Sequence, residues 1–157
     1  LNSGKDIVSL EGECRHITSY LQIQQVRYQD ILTYDVDIPE EIANCKIPKI
    51  TLQPLVENAL YHGIKNKRGK GRIVVTGRRE KDKCVIRVED NGIGMTKERL
   101  NQVRGGLTTK IEDSNDFYGL YNVNERIRLK FGEEYGLSID SVLQEGTCVE
   151  VWLPWES

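Results

Sequence analysis

Residues 52–63 read LQPLVENALYHG, and their polar members are the first in the chain whose chemistry stands out. Leu52, Leu55, Val56, Ala59 and Leu60 recur at helical spacing as one apolar stripe. Glu57, Asn58, Tyr61 and His62 take the remaining arc, with Asn58 and His62 neighbours on one face. An asparagine oxygen is a hard, neutral ligand, suited to a Mg²⁺ ion that keeps waters and phosphate oxygens as its other ligands. A solvated helix face has the same polarity, so this segment alone decides nothing. Residues 89–95, EDNGIGM, put an acidic residue before two glycines that let the backbone turn and approach a ligand closely. A carboxylate there can accept from an exocyclic amine, which adenine has and guanine lacks at that position. Asp-Asn-Gly is also a common turn former. Residues 118–123, YGLYNV, carry a glycine directly into a helical pattern, and backbone amides at such a start favour anions. Residues 145–147, EGT, lie between two β-rich runs. Either of these last two could be plain punctuation.

The elements that position these groups follow from periodicity. Residues 9–29 show helical spacing through Leu10, Ile17 and Leu21, with Ser9 as N-cap. Residues 31–37, ILTYDVD, alternate as a strand that Pro39 closes. A second helix is expected over 48–64, with Pro54 a disturbance near its start and Gly63 near its end. Residues 72–79 and 83–89 form a hairpin. A short helix capped by Thr96 spans 96–103, and a long polar loop fills 105–116; loops of that length inside compact domains are commonly functional. A helix over 119–131 stops at Gly132, and a closing hairpin joins 135–142 to 147–153. Paired strands with helices between them predict an α+β fold, a two-layer sandwich whose mixed sheet is covered on one face by helices. A doubly wound parallel sheet is disfavoured, because the paired runs are too close for crossover helices.

The chain's 157 residues fit one domain with its own core, and 38% hydrophobic and 29% charged residues are ordinary for a globular protein. A net charge of −2 without a long basic block gives no reason to expect nucleic acid. The basic cluster at 65–72 is local, and Lys65 and Lys67 read mainly as solvated side chains. Cys14, Cys45, Cys84 and Cys148 are widely spaced without CxxC or a nearby His pair, which argues for reduced, mostly buried thiols rather than a metal or redox motif. No apolar run is long enough to cross a bilayer.

What raises these separate signals is their fixed order. With LQPLVENALYHGI, VEDNGIGM, YGLYNVNERIRLKFG and the opening VSLEGECRHITSYLQIQQVRY, the chain resembles the ATP-binding domain shared by gyrase, heat-shock chaperone, histidine kinase and mismatch-repair ATPases. Within that superfamily it looks like the bacterial sensor kinases with an internal-region histidine kinase domain. The resemblance spans residues 9–154. It implies a Bergerat-type fold over 9–157, with 1–8 the end of an upstream linker and an ATP lid over about 96–118.

It also implies the following roles. Asn58 is the Mg²⁺-binding asparagine, and Asp90 binds adenine, aided by Thr147 and a water. Gly92 and Gly94, with Met95 beside them, open the nucleotide pocket. Gly119 and Leu120 form the glycine box at the phosphate end of the lid, and His62 faces the phosphates. Phe117 stands where relatives often have an earlier glycine, which bears on the lid's hinge. Glu57 matches the base of the hydrolase branches. The cofactors implied are ATP and Mg²⁺. The partners implied are the dimerisation domain that carries the phosphoacceptor histidine, and a response regulator. The implied setting is a cytoplasmic domain of a parent protein in the bacterial cell membrane. His16 lies in an ECRHI context unlike the acceptor motif, so the chain alone is expected not to autophosphorylate. An ATP-hydrolysing or serine-kinase relative, or a pseudokinase kept as an interaction module, are the rival readings. A degenerate site would be expected to lose one of Asn58, Asp90, Gly92, Gly94 or Gly119, and all are present.

Overall fold

The computed structural model describes residues 6–29, 31–64, 69–109 and 118–155. Strand β1 (Ile7–Ser9) leads straight into helix α1 (Leu10–Arg27), and the Ser9 hydroxyl accepts from Gly12 N at 3.1 Å as the sequence predicts. Leu10, Cys14, Ile17 and Leu21 form the buried stripe of α1. After β2 (Leu32–Val36) a short 3₁₀ turn (Glu40–Ile42) leads to β3 (Lys46–Pro48), which pairs antiparallel with β1. Helix α2 (Leu52–Asn58) runs on into a π-helical segment (Ala59–Ile64). Then come β4 (Gly71–Glu80), β5 (Lys83–Asp90), α3 (Lys97–Gly106), α4 (Tyr118–Phe131), β6 (Gly136–Val142) and β7 (Gly146–Pro154).

Five strands form one sheet in the order β2-β4-β5-β7-β6. The β2–β4 pair is parallel and the other three are antiparallel, so the sheet is mixed. Its two faces separate by the two-residue period of a strand. Ile73 and Val75, then Cys84, Ile86 and Val88, then Val149, Val151 and Leu153 are buried. They share one core with the helical residues Leu55, Val56, Leu120, Val123 and Ile127. Alternate positions carry charge instead. Arg78 and Arg87 both reach Glu150, at 3.1 and 3.6 Å, and Arg87 also pairs with Glu89 at 2.7 Å. The Arg78 guanidinium lies 5.6 Å over the Trp152 ring. Helices therefore cover one face only, and the two-layer α+β reading is borne out.

Two expected boundaries are corrected. The helix expected over 48–64 starts only at Leu52, because Pro48 is in β3 and residues 49–51 turn a sharp corner. Ile50 has φ 59°, and the Thr51 hydroxyl donates to Pro48 O at 2.6 Å. Pro54 sits in the first turn of α2, where backbone amides have no intrahelical partner, so it disturbs nothing. The polar loop expected from residue 105 starts later, since α3 continues through Gly106. Leu100, Val103 and Leu107 are buried along one face of α3, and their burial outweighs the poor helix propensity of two glycines. Residues 110–117 of that stretch, Phe117 among them, lie outside the described residues, as do Lys65 and Lys67. Ile7 and Val8, expected at the end of a linker, are paired in β1.

Candidate functional site

At one end of the sheet a cleft opens between β5, β7 and the α2/π-helical segment. Leu55, Asn58, Ala59, His62, Gly63, Val88, Asp90, Gly94, Met95, Thr147 and Val149 line it, and its space, open mouth included, is about 350 Å³. Val88 and Asp90 are two apart on β5 and so share a face, as do Thr147 and Val149 on β7. Asp90 and Thr147 are directly opposite across the β5–β7 ladder. The floor is apolar and its rim carries one carboxylate, one hydroxyl, one amide and one imidazole, the composition of a small-molecule site.

Asp90 is fixed by its surroundings. Its Oδ1 accepts from Gly92 N at 2.8 Å, so the turn after β5 orients the carboxylate. Gly63 lies against the same side chain, and a methyl there would stand 2.6 Å from Oδ1. Gly92 in turn lies against Gly63, where a Cβ would come within 2.3 Å of the Gly63 backbone. The π-helical segment and the turn after β5 thus touch backbone to backbone, which the missing side chain of Gly92 allows. Thr147 Oγ1 is 2.9 Å from Ser141 Oγ, which also donates to Gly146 O at 2.9 Å, so β6 braces the hydroxyl. Gly94, at φ 67°, sits against Val142 O, and Gln144 N donates to Ile93 O at 2.6 Å.

Asn58 ends α2, and its Nδ2 is buried without a hydrogen-bond partner. Buried polar atoms are nearly always paired, so an orphan in a cleft points to a ligand that completes it. Glu57, one residue earlier, turns away from the cleft towards α1. Its Oε1 accepts from Gln53 Nε2 at 3.0 Å, and Gln53 Oε1 is 2.6 Å from His16 Nε2. Burial first, and then the charge of Glu57, push the Tyr20 phenol up to about 12. Gly119 opens α4 against Pro54, and Leu120 is in the core; neither lines the cleft.

The structure therefore brings together Asn58, His62, Asp90, Gly94, Met95 and Thr147, with Gly92 behind Asp90, and leaves Glu57, Gly119 and Leu120 to its flanks. The sequence marks Gly63 only as a helix end and does not single out Val88 or Val149. The i, i+2 alternation from Asp90 and Thr147 was the signal available for the two valines.

Residues 48–157 match the family described as histidine kinase-, DNA gyrase B-, and HSP90-like ATPase, and the chain belongs to it. The sensor histidine kinase YesM of Bacillus subtilis (strain 168) is 37% identical over 151 residues, covering 96% of this chain and 24% of its own length. The sensor histidine kinase BtsS of Escherichia coli (strain K12) is 32% identical over 155 residues, 99% of this chain and 25% of its own. The chain thus spans about a quarter of the length of these relatives. A nucleotide-free catalytic domain of the histidine kinase ThkA superposes with a TM-score of 0.71 over 95% of this chain and 96% of that one. At 11% identity, that likeness shows the shared fold.

Proposed function

We propose that the chain is the ATP-binding catalytic domain of a two-component sensor histidine kinase. In this reading it binds Mg–ATP and donates the γ-phosphate to a histidine on a dimerisation domain, for relay to an aspartate of a response regulator. Residues 9–157 are its domain, in the cytoplasm, within a parent protein held in the bacterial cell membrane. The observation that carries the reading is that the Asp90 carboxylate and the unpaired Asn58 amide line one cleft with an apolar floor.

In this reading adenine lies on Val88, Val149 and Met95, with its exocyclic amine donating to Asp90 and Thr147 helping through a water. The residues present fit a magnesium ion. Asn58 would hold the cation through its amide oxygen, leaving its buried Nδ2 to donate to a phosphate or water oxygen. Bound Mg²⁺ would neutralise charge on the phosphates; the protein's part is mainly positioning. His62 faces the phosphates on the Asn58 side of the cleft, and the backbone at Gly119 and Leu120 meets them at the lid end. Glu57 serves as base towards the incoming imidazole, which then has to approach along the α1 flank, where the Glu57 carboxylate lies.

Calorimetric titration with a non-hydrolysable ATP analogue, with and without Mg²⁺ and against GTP, tests the reading. Mg²⁺-dependent binding selective for adenine is expected. Asp90→Asn should lower affinity roughly 10- to 100-fold, the worth of a hydrogen bond to a charged group, with the fold intact. No binding at millimolar ligand would favour an interaction module, and unchanged affinity in Asp90→Asn would move the adenine pocket elsewhere.

A further inference from the structure

We propose that Glu13 and Arg126, far from the cleft in sequence, are positioning residues that set where Asn58 stands. The inference rests on the reading of the cleft as a Mg²⁺–nucleotide site. Glu13 is 3% exposed, and a buried carboxylate is costly unless its oxygens are well supplied with donors. Here Oε1 accepts from Ile50 N at 3.1 Å, and Oε2 accepts from Thr51 N and Leu52 N, each at 3.0 Å. Thr51 does not cap α2 with its own hydroxyl, which is turned to Pro48 O. A side chain of α1 therefore does from a distance what a local cap does in most helices.

The opposite side of the same corner is held from α4. Arg126 donates to Lys49 O at 2.8 Å and to Ile50 O at 2.7 Å. Both backbone groups of Ile50 are thereby engaged, one by α1 and one by α4. Ile50 needs this, because a β-branched residue at φ 59° is sterically unfavourable unless its surroundings impose it.

The corner matters to the cleft because α2 is short. Leu52 to Asn58 spans roughly 9 Å at the α-helical rise, so a shift at its start reaches Asn58 almost undiminished. Leu52, Leu55 and Val56 are buried and hold α2 sideways against the core. Apolar contacts resist sliding along the helix axis less well, and metal ligands must be placed to within about 0.5 Å. Glu13 and Arg126 supply that missing constraint.

A purely structural role would change stability without touching the metal. The test is therefore the Mg²⁺-dependent gain in affinity of the whole chain for the ATP analogue, read as the ratio of affinities in Mg²⁺ and in EDTA. Glu13→Gln and Arg126→Ala should each cut that ratio about tenfold, as loss of an outer-shell partner does at metal sites, with affinity in EDTA nearly unchanged. A wild-type ratio in both variants, whatever their melting temperatures, overturns the inference. Should Glu13→Gln fail to fold, Arg126→Ala carries the same test, since its side chain is exposed. A wild-type chain that binds no tighter with Mg²⁺ overturns the underlying reading instead.

Discussion

At Gly63 a single missing methyl group governs the residue on which adenine recognition is proposed to depend. The atom an alanine would meet is the Asp90 carboxylate oxygen, at 2.6 Å, so the side chain rather than the backbone has to give way. Gly63→Ala is expected to weaken binding of the ATP analogue about tenfold or more, the worth of one displaced charged hydrogen bond, while the chain still folds. Titration alongside thermal melting checks this, and wild-type affinity would sink it. Gly146→Ala should behave in the opposite way. Its φ is 128° and its Cβ would stand 2.0 Å from Asp90 O, so backbone must move and stability falls by more than about 1 kcal/mol. The polar members of the cleft were legible in the sequence because their types announce them. Gly63 and Glu13 were not, since what each does depends on a partner that only the fold brings near. The flank taken by Glu57 has a simpler cause: adjacent helical residues point about 100° apart, and the Gln53 amide one turn back holds the Glu57 carboxylate on the side away from Asn58.

Asn124 joins three elements around α4, and it is one of the few polar residues that the described part of the chain buries. Its Nδ2 donates to Leu107 O at 2.9 Å, at the end of α3, and its Oδ1 accepts from Leu137 N at 2.8 Å, in β6. Arg104 fastens α3 to the same strand, its Nε donating to Ile139 O at 3.0 Å. Asn124→Ala leaves one buried and one half-buried backbone group without partners and should cost about 1–3 kcal/mol. Urea unfolding measures it, and a change below about 0.5 kcal/mol would mean water replaces the amide. Long, strongly periodic elements were readable from sequence: α1, α4 and the sheet strands fall within a few residues of their expected limits. The misses have physical causes. β1 and β3 are three residues each and carry no period of their own. The start of α2 is set by Glu13 on another helix. The π-helical segment at residues 59–64 packs against the turn after β5 at Gly63 and Gly92, a tertiary contact that hydropathy does not record.

For the whole molecule, one consequence of folding is that three of its thiols, Cys14, Cys84 and Cys148, ionise less readily than in the unfolded chain. Burial, and then the charge of Glu13, push Cys14 up from 9.0 to about 12. Burial also pushes up Cys148, to about 11, and Cys84, where the neighbouring Cys45 thiol adds to the effect. Each group holds its proton more firmly when folded than when unfolded. Their contribution to stability is therefore complete below pH 9, where both states are protonated. Above pH 9 the unfolded chain loses protons that the folded chain keeps, so stability declines with rising pH until the folded thiols ionise too. Tyr20, raised to about 12 from 10.0, extends the same decline. Urea midpoints under reducing conditions should be level below about pH 8 as far as these groups are concerned and fall increasingly from about 9 to 11. Cys14→Ala should make that fall shallower, whatever it does to the midpoint at pH 8. A variant whose midpoints fall as steeply as those of the wild type would show that Cys14 already ionises in the folded chain, and that the core around α1 admits water.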